Sequence, residues 1–213
     1  MCWSFDVSIF SFLIGTIVNI SVGYYFKDVP IIKTLCIAWQ ASVVPIQLYE
    51  AIIWYGIDYG QDIMFGSYMA TFTVILQVPI MGIIVLSNST MPSLNKGLAT
   101  AIICSHIYFG AYSVAINSPI QPIGSLDNEC NHLNYAFVVP YVGKTVYFLS
   151  SVSLSLLLIR PVDLAIVFLV LCFVGYAFTY SFYTCGEDNG SMWCWISCTL
   201  MFHVGLYWKM VKQ

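Results

Sequence analysis

The stretch from Ile63 to Leu86 reads IMFGSYMATFTVILQVPIMGIIVL and contains no Asp, Glu, Lys or Arg. A helix rises about 1.5 Å per residue, so a segment of this length crosses the ~30 Å hydrocarbon layer of a bilayer. Backbone polar groups meet no water in that layer and must bond within the segment, which favours a helix. The stretch therefore predicts a transmembrane α-helix.

The whole 213-residue chain has the same apolar character. Hydrophobic residues make up 60% of it and charged residues 8%, whereas a soluble domain carries about 25% charged residues. So few charges cannot cover a water-facing surface. The composition excludes a soluble globule, a disordered chain, a nucleic-acid binder with a basic face, and a collagen-like or coiled-coil rod. We expect an integral membrane protein whose first partner is the lipid bilayer and which binds no nucleic acid.

Seven stretches are long and apolar enough to cross a bilayer as helices. The alternation of a β-barrel strand is absent, since residues 166–171, for example, read IVFLVL. The seven stretches run approximately over Val7–Phe26, Leu35–Tyr55, Ile63–Leu86, Leu98–Ile116, Tyr135–Leu158, Leu164–Thr184 and Met192–Trp208. The sequence predicts an all-α bundle of seven transmembrane helices that forms a single domain over residues 1–213.

The charged residues outside these stretches separate by side of the membrane. One side holds Lys27, Lys33, Lys96, Arg160, Lys209 and Lys212, and the other side holds no Lys or Arg. That other side instead collects Asp6, Asp58, Asp62, Asp127, Glu129, Glu187 and Asp188. Cytoplasmic loops carry the excess of Lys and Arg in membrane proteins. We therefore expect the N-terminus outside and the C-terminus in the cytoplasm.

Four of the eight cysteines fall on or near the acidic, extracytoplasmic side: Cys2, Cys130, Cys185 and Cys194. Such a face permits disulfides, so we expect up to two bridges there, in one of three pairings. The alternative is a metal site that uses Cys130 and His132 with Cys185 or Cys194, but no zinc-ligand spacing supports it and we expect no metal. Free thiols remain the third option if the compartment is reducing.

Four ionisable residues lie inside predicted spans, where a functional role is the default hypothesis: Glu50, His106, Lys144 and His203. At about 1.5 Å per residue, Glu50 lies ~8 Å from the extracytoplasmic end of its span. The other three lie at about 14–16 Å on the same scale. Gln47 is one turn from Glu50 on the same helical face. The five side chains predict a polar layer in the outer half of the bilayer.

Two interpretations of the polar layer stay open. Opposite charges at similar depth predict a Glu50–Lys144 pair, which would form part of a path for an ion, a proton or a small polar solute. The same pair is also consistent with a structural role, because structural ion pairs retain buried charges as functional sites do. A second, deeper set of polar residues consists of Gln40, Asn19 and Gln77.

Three prolines lie inside predicted spans: Pro45, Pro79 and Pro140. Each removes a helix hydrogen bond and frees the carbonyl four residues earlier, at Ala41, Ile75 and Ala136. Such positions serve as hinges in transporters, or as plain kinks whose free carbonyls are satisfied by neighbouring helices.

Small or short polar residues recur at every fourth position of the first span, at Ser11, Gly15, Asn19 and Gly23. A face of this kind permits close approach of another helix. We expect it to pack inside the bundle; self-association into a homo-oligomer is the alternative.

Motifs for catalysis or cofactor binding are absent from the sequence. There is no Gly-rich phosphate loop, no His-Glu-x-x-His and no Gly-x-Ser-x-Gly. The last span has no Lys to carry a retinal Schiff base. We expect no cofactor, and an enzyme is the third functional hypothesis, behind the two given below, because no nucleophile–base constellation is evident in the sequence.

Short motifs resemble those of a known family. The chain starts with Met-Cys-Trp-Ser, Glu50 follows Gln47-Leu-Tyr, and the last span contains Trp193-Cys194 with Ser197. These motifs resemble an uncharacterised family of multi-pass membrane proteins found in bacteria and in large DNA viruses of protists and algae. Span five departs from the family pattern, because Asn134 and Val138 stand where the family has His and Glu. The resemblance implies the topology and a microbial or viral source, and it implies no activity because the family has none assigned.

Two functional hypotheses follow. The first is a small channel or carrier for an ion, proton or polar solute, with Gln77 and His203 added to the residues of its path. The second is a non-transporting structural or envelope protein of a host or viral membrane.

Overall fold

The computed structural model describes residues 4–87, 92–116, 140–182 and 198–212. These residues form eight α-helices and no strand, which confirms the all-α prediction for this part of the chain. The helices are α1 (Phe5–Tyr25), α2 (Pro30–Ser42), α3 (Pro45–Tyr59), α4 (Met64–Ser87), α5 (Ser93–Ile116), α6 (Pro140–Leu158), α7 (Val162–Phe182) and α8 (Leu200–Lys212).

Three helical stretches in the described residues are long and apolar enough to cross a membrane. They are Phe5–Tyr25, Pro30–Tyr59 and Met64–Ser87, the second of which comprises α2 and α3 together. Thr145–Leu158 and Val162–Gly175 are shorter apolar helices. The structure thus supports a membrane protein, and the count of seven spans stays a prediction. Predicted spans five, six and seven fall partly outside the described residues.

Helix α1 shows two faces of opposite character. Its start is capped by Ser4, whose hydroxyl accepts the Val7 N–H at 3.3 Å, and Asp6 in the first turn complements the helix dipole. The buried face is made of Ser8, Ser11, Gly15, Asn19 and Val22. The opposite face exposes large apolar side chains: Phe10, Leu13, Ile17 and Ile20. The small-residue face packs inside the chain, as the sequence predicts, and the apolar face is left for lipid.

The second predicted span is broken in its middle. Helix α2 ends at Ser42 and α3 begins at Pro45, which has no N–H to donate to Ala41. The Val44 N–H reaches back five residues to the Trp39 carbonyl at 3.3 Å. This pair of helices is the most buried of the three candidate spans. Helices α1 and α4 pack against both halves of this interrupted helix, and α8 also packs against α2.

A continuous apolar core joins α2 to most of the other helices. Its fully buried members include Ile32 and Leu35 of α2, Leu164 of α7, and Met201 and Val204 of α8. An edge-on aromatic contact also ties α2 to α7, with the ring centroids of Trp39 and Phe168 5.5 Å apart.

Helices α3 and α4 approach most closely at Gly66. A Cβ built there would lie 2.8 Å from Ile53 Cγ1 and 3.1 Å from the Tyr49 carbonyl oxygen. A backbone atom cannot move aside as a flexible side chain can. The close approach of the two helices therefore requires glycine at this position.

We expect Gly66→Ala to destabilise the protein by about 1–3 kcal/mol, the range for overpacking a well-packed core. The matched control is Gly97→Ala on α5, where an added Cβ meets nothing within 4 Å. Alanine there should be neutral or stabilising by up to ~1 kcal/mol, because glycine weakens a helix interior. Thermal unfolding in detergent measures both. Equal effects of the two substitutions would contradict the proposed close approach.

Candidate functional site

The first polar site lies on α3, directly after the break. Gln47 and Glu50 are one turn apart, and each has 0% of its surface exposed. Burial of a carboxyl and an amide is expensive in an apolar bundle, so both groups need polar surroundings. The sequence prediction that they share one buried face is consistent with this placement.

Two contacts fix how α1 lies against this site. A Cβ at Gly15 would lie 3.3 Å from Val44 Cγ2 at the break. Near the other end of the pair, the rings of Phe5 and Tyr55 are 5.9 Å apart. The two helices are therefore antiparallel. Residues 5–15 of α1 face residues 44–55, which include the start of α3 and the polar pair.

The small residues of α1 are consequently set opposite the polar pair. Ser8 and Ser11 are both buried. Their hydroxyls donate to carbonyls of their own helix, at 3.0 Å to Ser4 and 2.8 Å to Val7. Short side chains here allow α1 to approach the α3 face that carries Gln47 and Glu50.

Cys198 borders the same site from the residues just before α8. Its side chain is buried, it interacts electrostatically with Glu50, and a Cβ at Gly15 would lie 3.3 Å from its Sγ. The first polar site is therefore bounded by α1, α3 and the entry to α8. A carboxyl and an amide so placed can take up a proton, a cation or a hydrogen-bonding solute.

The second polar site joins α4, α5 and α6. The Tyr147 hydroxyl donates a hydrogen bond to Gln77 Oε1. The His106 ring lies beside Tyr147, with the ring centroids 5.9 Å apart. His106 is 5% exposed and Gln77 is also buried. The three polar side chains bridge three helices within the apolar part of the chain.

His106 also compensates for a proline. Pro79 has no N–H, so the Ile75 carbonyl on α4 lacks its usual helical partner. The imidazole of His106 hydrogen-bonds the backbone of Ile75. Its Nδ1 has no hydrogen-bond partner among the described residues. The carbonyl that the sequence predicts to be freed at Ile75 is thus satisfied from α5.

The remaining predicted site residues lie elsewhere. His203 is exposed on α8, where its Nδ1 lies 3.0 Å from the Thr199 carbonyl oxygen, and no described contact brings it to either site. Lys144 belongs to α6, but its side chain is outside the described part of the chain, so the Glu50–Lys144 pair stays a prediction.

The disulfide candidates Cys2, Cys130, Cys185 and Cys194 lie outside the described residues. Among the cysteines that the structure does describe, Cys36, Cys104 and Cys172 are free thiols. No group of three His, Cys, Asp or Glu side chains able to hold a metal occurs in the described ranges.

Tyr147 is the site residue that sequence analysis missed. In the amino-acid sequence, a tyrosine within a span that only packs cannot be distinguished from one that donates a hydrogen bond. The only signal was Gln77, a buried amide that requires a partner on another helix.

No protein-family model, no curated protein and no solved structure matches this chain. The resemblance to the family that begins Met-Cys-Trp-Ser therefore stays a prediction, and function has to be argued from the side chains themselves.

We expect Tyr147→Phe to lower stability by about 1 kcal/mol, because Gln77 Oε1 loses its donor in an apolar setting. Gln77→Leu should have a similar effect. The double variant should lose less than the sum, since removing both partners leaves fewer unsatisfied groups. Tyr112→Phe on α5, where the ring is exposed, is the control. Strictly additive losses in detergent unfolding would count against the hydrogen bond.

Proposed function

We propose that this chain is a seven-helix integral membrane protein, with its N-terminus outside and its C-terminus in the cytoplasm, that moves a proton, an ion or a small polar solute. The observation that carries the proposal is the complete burial of Gln47 and Glu50 directly after the helix break at Pro45. Of the residues predicted for the path, Lys144, His106 and Gln77 are retained as further members.

The position of the polar pair supports transport. Carriers commonly bind solutes and ions where a membrane helix is discontinuous, because the interrupted backbone and the half-helix ends supply polar groups there. A charged carboxyl inside the hydrocarbon layer is costly, by up to about 2.5–3.5 kcal/mol at the centre of a membrane helix on insertion scales. A glutamate at such a position is more readily explained by a functional role than by packing, because an apolar residue would suffice for packing.

Contacts at one end of the bundle support the proposed orientation. The Lys209 ammonium lies 5.4 Å from the centre of the Tyr25 ring, and the Tyr207 hydroxyl donates to Asp163 at 3.0 Å. These contacts join the end of α1, the end of α8 and the start of α7. Lys27, just after α1, lies at the same end. A shared basic end is what a cytoplasmic face requires.

Orientation can be tested with single added cysteines on either side of α4. We expect Gln61→Cys to react with a membrane-impermeant maleimide in intact cells, and Lys96→Cys to react only after permeabilisation. The unsubstituted chain sets the background from its native thiols. Reaction of both positions from the same side would contradict a span between them, and the reverse pattern would invert the orientation.

A structural or envelope protein is the second candidate, and packing favours it. The direct Tyr147–Gln77 bond and the close approach at Gly66 are what a tightly packed bundle shows. On this hypothesis the buried pair on α3 stabilises the helices, and the bilayer or a second copy of the chain is the partner.

Flux measurements in proteoliposomes distinguish the two candidates. We expect the wild-type protein to carry protons or ions under an imposed gradient, and Glu50→Gln to reduce the flux at least tenfold because the titratable charge is lost. Asp58→Asn is the matched control, since it removes the same charge from the same helix two turns on, where the side chain is exposed. Lys144→Met tests the predicted pair.

The outcome is interpretable only for folded variants, so unfolding temperatures are measured beside the fluxes. No wild-type flux under any proton or ion gradient, with Glu50→Gln strongly destabilised, would replace transport by the structural role. Equal flux losses in Glu50→Gln and Asp58→Asn would show that the buried position has no special part in the path.

A further inference from the structure

The seam between α1 and α2 holds polar groups that neither polar site uses. Two contacts fix its register: a Cβ at Gly23 would lie 3.5 Å from Cys36 Cβ, and Gln40 Nε2 donates to Thr16 Oγ1 at 3.2 Å. Asn19 lies between Thr16 and Gly23 on α1. Helical spacing places it between the α2-facing positions Thr16 and Gly23 and the α8-facing position Val22, so Asn19 lies at the α8 edge of the seam that holds Gln40.

In both amides of the seam the N–H group donates a hydrogen bond to another atom, and the amide oxygen is left without a donor. Asn19 Nδ2 donates to the Gly15 carbonyl at 2.7 Å, and Gln40 Nε2 is committed to Thr16. Asn19 Oδ1 and Gln40 Oε1 are both buried, without a hydrogen-bond partner among the described residues. Asn19 as a whole is only 3% exposed. A buried acceptor without a donor is destabilising, so a group that brings positive charge or hydrogen-bond donors would stabilise the seam.

The surroundings select a cation. Gln40 lies in the last turn of α2, where the free carbonyls and the helix dipole give negative potential. Thr16 Oγ1 keeps a second lone pair after accepting from Gln40. The basic residue of α2, Lys33, lies at the opposite end of that helix, and α1 contains no Lys, Arg or His. The seam therefore holds two amide oxygens without a donor, and neither helix places a positive charge beside them.

The same surroundings limit the charge of the ion. Calcium and magnesium sites in proteins rely on carboxylate ligands, and neither helix has a carboxylate in this stretch. The one acidic residue of α1, Asp6, lies in its first turn. Neutral oxygens suit a monovalent ion better than a divalent one, and in sodium-coupled carriers the C-terminal ends of half-helices help to coordinate Na⁺.

We propose that the α1–α2 seam is a binding site for a monovalent cation of the sodium type, with Asn19 Oδ1, Gln40 Oε1 and Thr16 Oγ1 as side-chain ligands. The site uses none of the residues assigned to the solute path. It stands whether or not Glu50 takes part in transport, and it supplies a candidate coupling ion if transport is confirmed.

The proposal is tested on the purified full chain in detergent, where no gradient exists. The unfolding temperature is followed as NaCl replaces choline chloride at constant ionic strength. Binding to the folded state alone stabilises as RT ln(1 + [L]/Kd), so the unfolding temperature should rise with Na⁺ above Kd and stay flat in choline. Retention of ²²Na⁺, displaced by unlabelled Na⁺ and not by choline, is the direct measure.

Variants assign the ligands. We expect Asn19→Leu and Gln40→Leu each to weaken Na⁺ binding at least tenfold. The control is Ser42→Ala, two residues from Gln40, because that hydroxyl already donates to the Ala38 carbonyl at 2.6 Å. The control should keep the wild-type response to Na⁺. An unchanged response in both leucine variants would overturn the ligand assignment.

The wild-type protein alone can overturn the site, so the test survives a variant that fails to fold. Identical unfolding temperatures in NaCl, KCl, NH₄Cl and choline chloride, with no displaceable ²²Na⁺ at millimolar concentration, would mean that a buried water bridges the two oxygens. A larger response to K⁺ or NH₄⁺ than to Na⁺ would support the site and change the ion. Absence of flux in proteoliposomes would bear on transport and leave this result untouched.

Discussion

A polar group inside a hydrocarbon layer has no water to bond, and this constraint shapes the described part of the chain. Helical Ser and Thr hydroxyls turn back to carbonyls four residues earlier. Ser11 does so to Val7 at 2.8 Å, and Thr73 to Met69 at 2.7 Å. Such groups add no polarity between helices and keep the buried face of α1 small. Three longer polar side chains instead make contacts with other helices: Gln77 with Tyr147, Gln40 with Thr16, and His106 with the backbone of Ile75.

Two prolines inside predicted spans, Pro45 and Pro79, show two answers to the same missing backbone N–H. At Pro79 the helix α4 continues, and His106 of α5 satisfies the backbone of Ile75. At Pro45 the helix ends and a new one begins, with Val44 bonded five residues back to Trp39. The second answer rearranges the backbone itself. The helix break at Pro45 also lies beside the buried polar pair on α3. That pair is therefore the stronger candidate for a functional role.

Sequence alone predicts the helical class, the buried small-residue face of α1 and the burial of Gln47 and Glu50, because apolar length and helical spacing are local properties. It does not predict the partner of Gln77. Tyr147 lies 70 positions away, and only the packing of α4 against α6 brings the two together. Nor does it give the direction of His203, since that depends on which neighbours cover α8. Pro45 is compatible with either a kink or a complete break of the helix, and the packing of the neighbouring helices determines which of the two forms.

The halves of the broken span differ from every full span in one respect. With 13 and 15 residues, α2 and α3 are only about 20 and 22 Å long, so neither crosses a ~30 Å hydrocarbon layer. Lys and Tyr are residue types that anchor helix ends at membrane interfaces, so we expect Lys33 near the start of α2 and Tyr59 at the end of α3 to hold the two halves at opposite interfaces. Hydrophobic mismatch with longer or shorter lipid chains then has to be absorbed where the halves meet. A change in the length of the lipid chains therefore changes the surroundings of Gln40 on one side of the break and of Gln47 on the other.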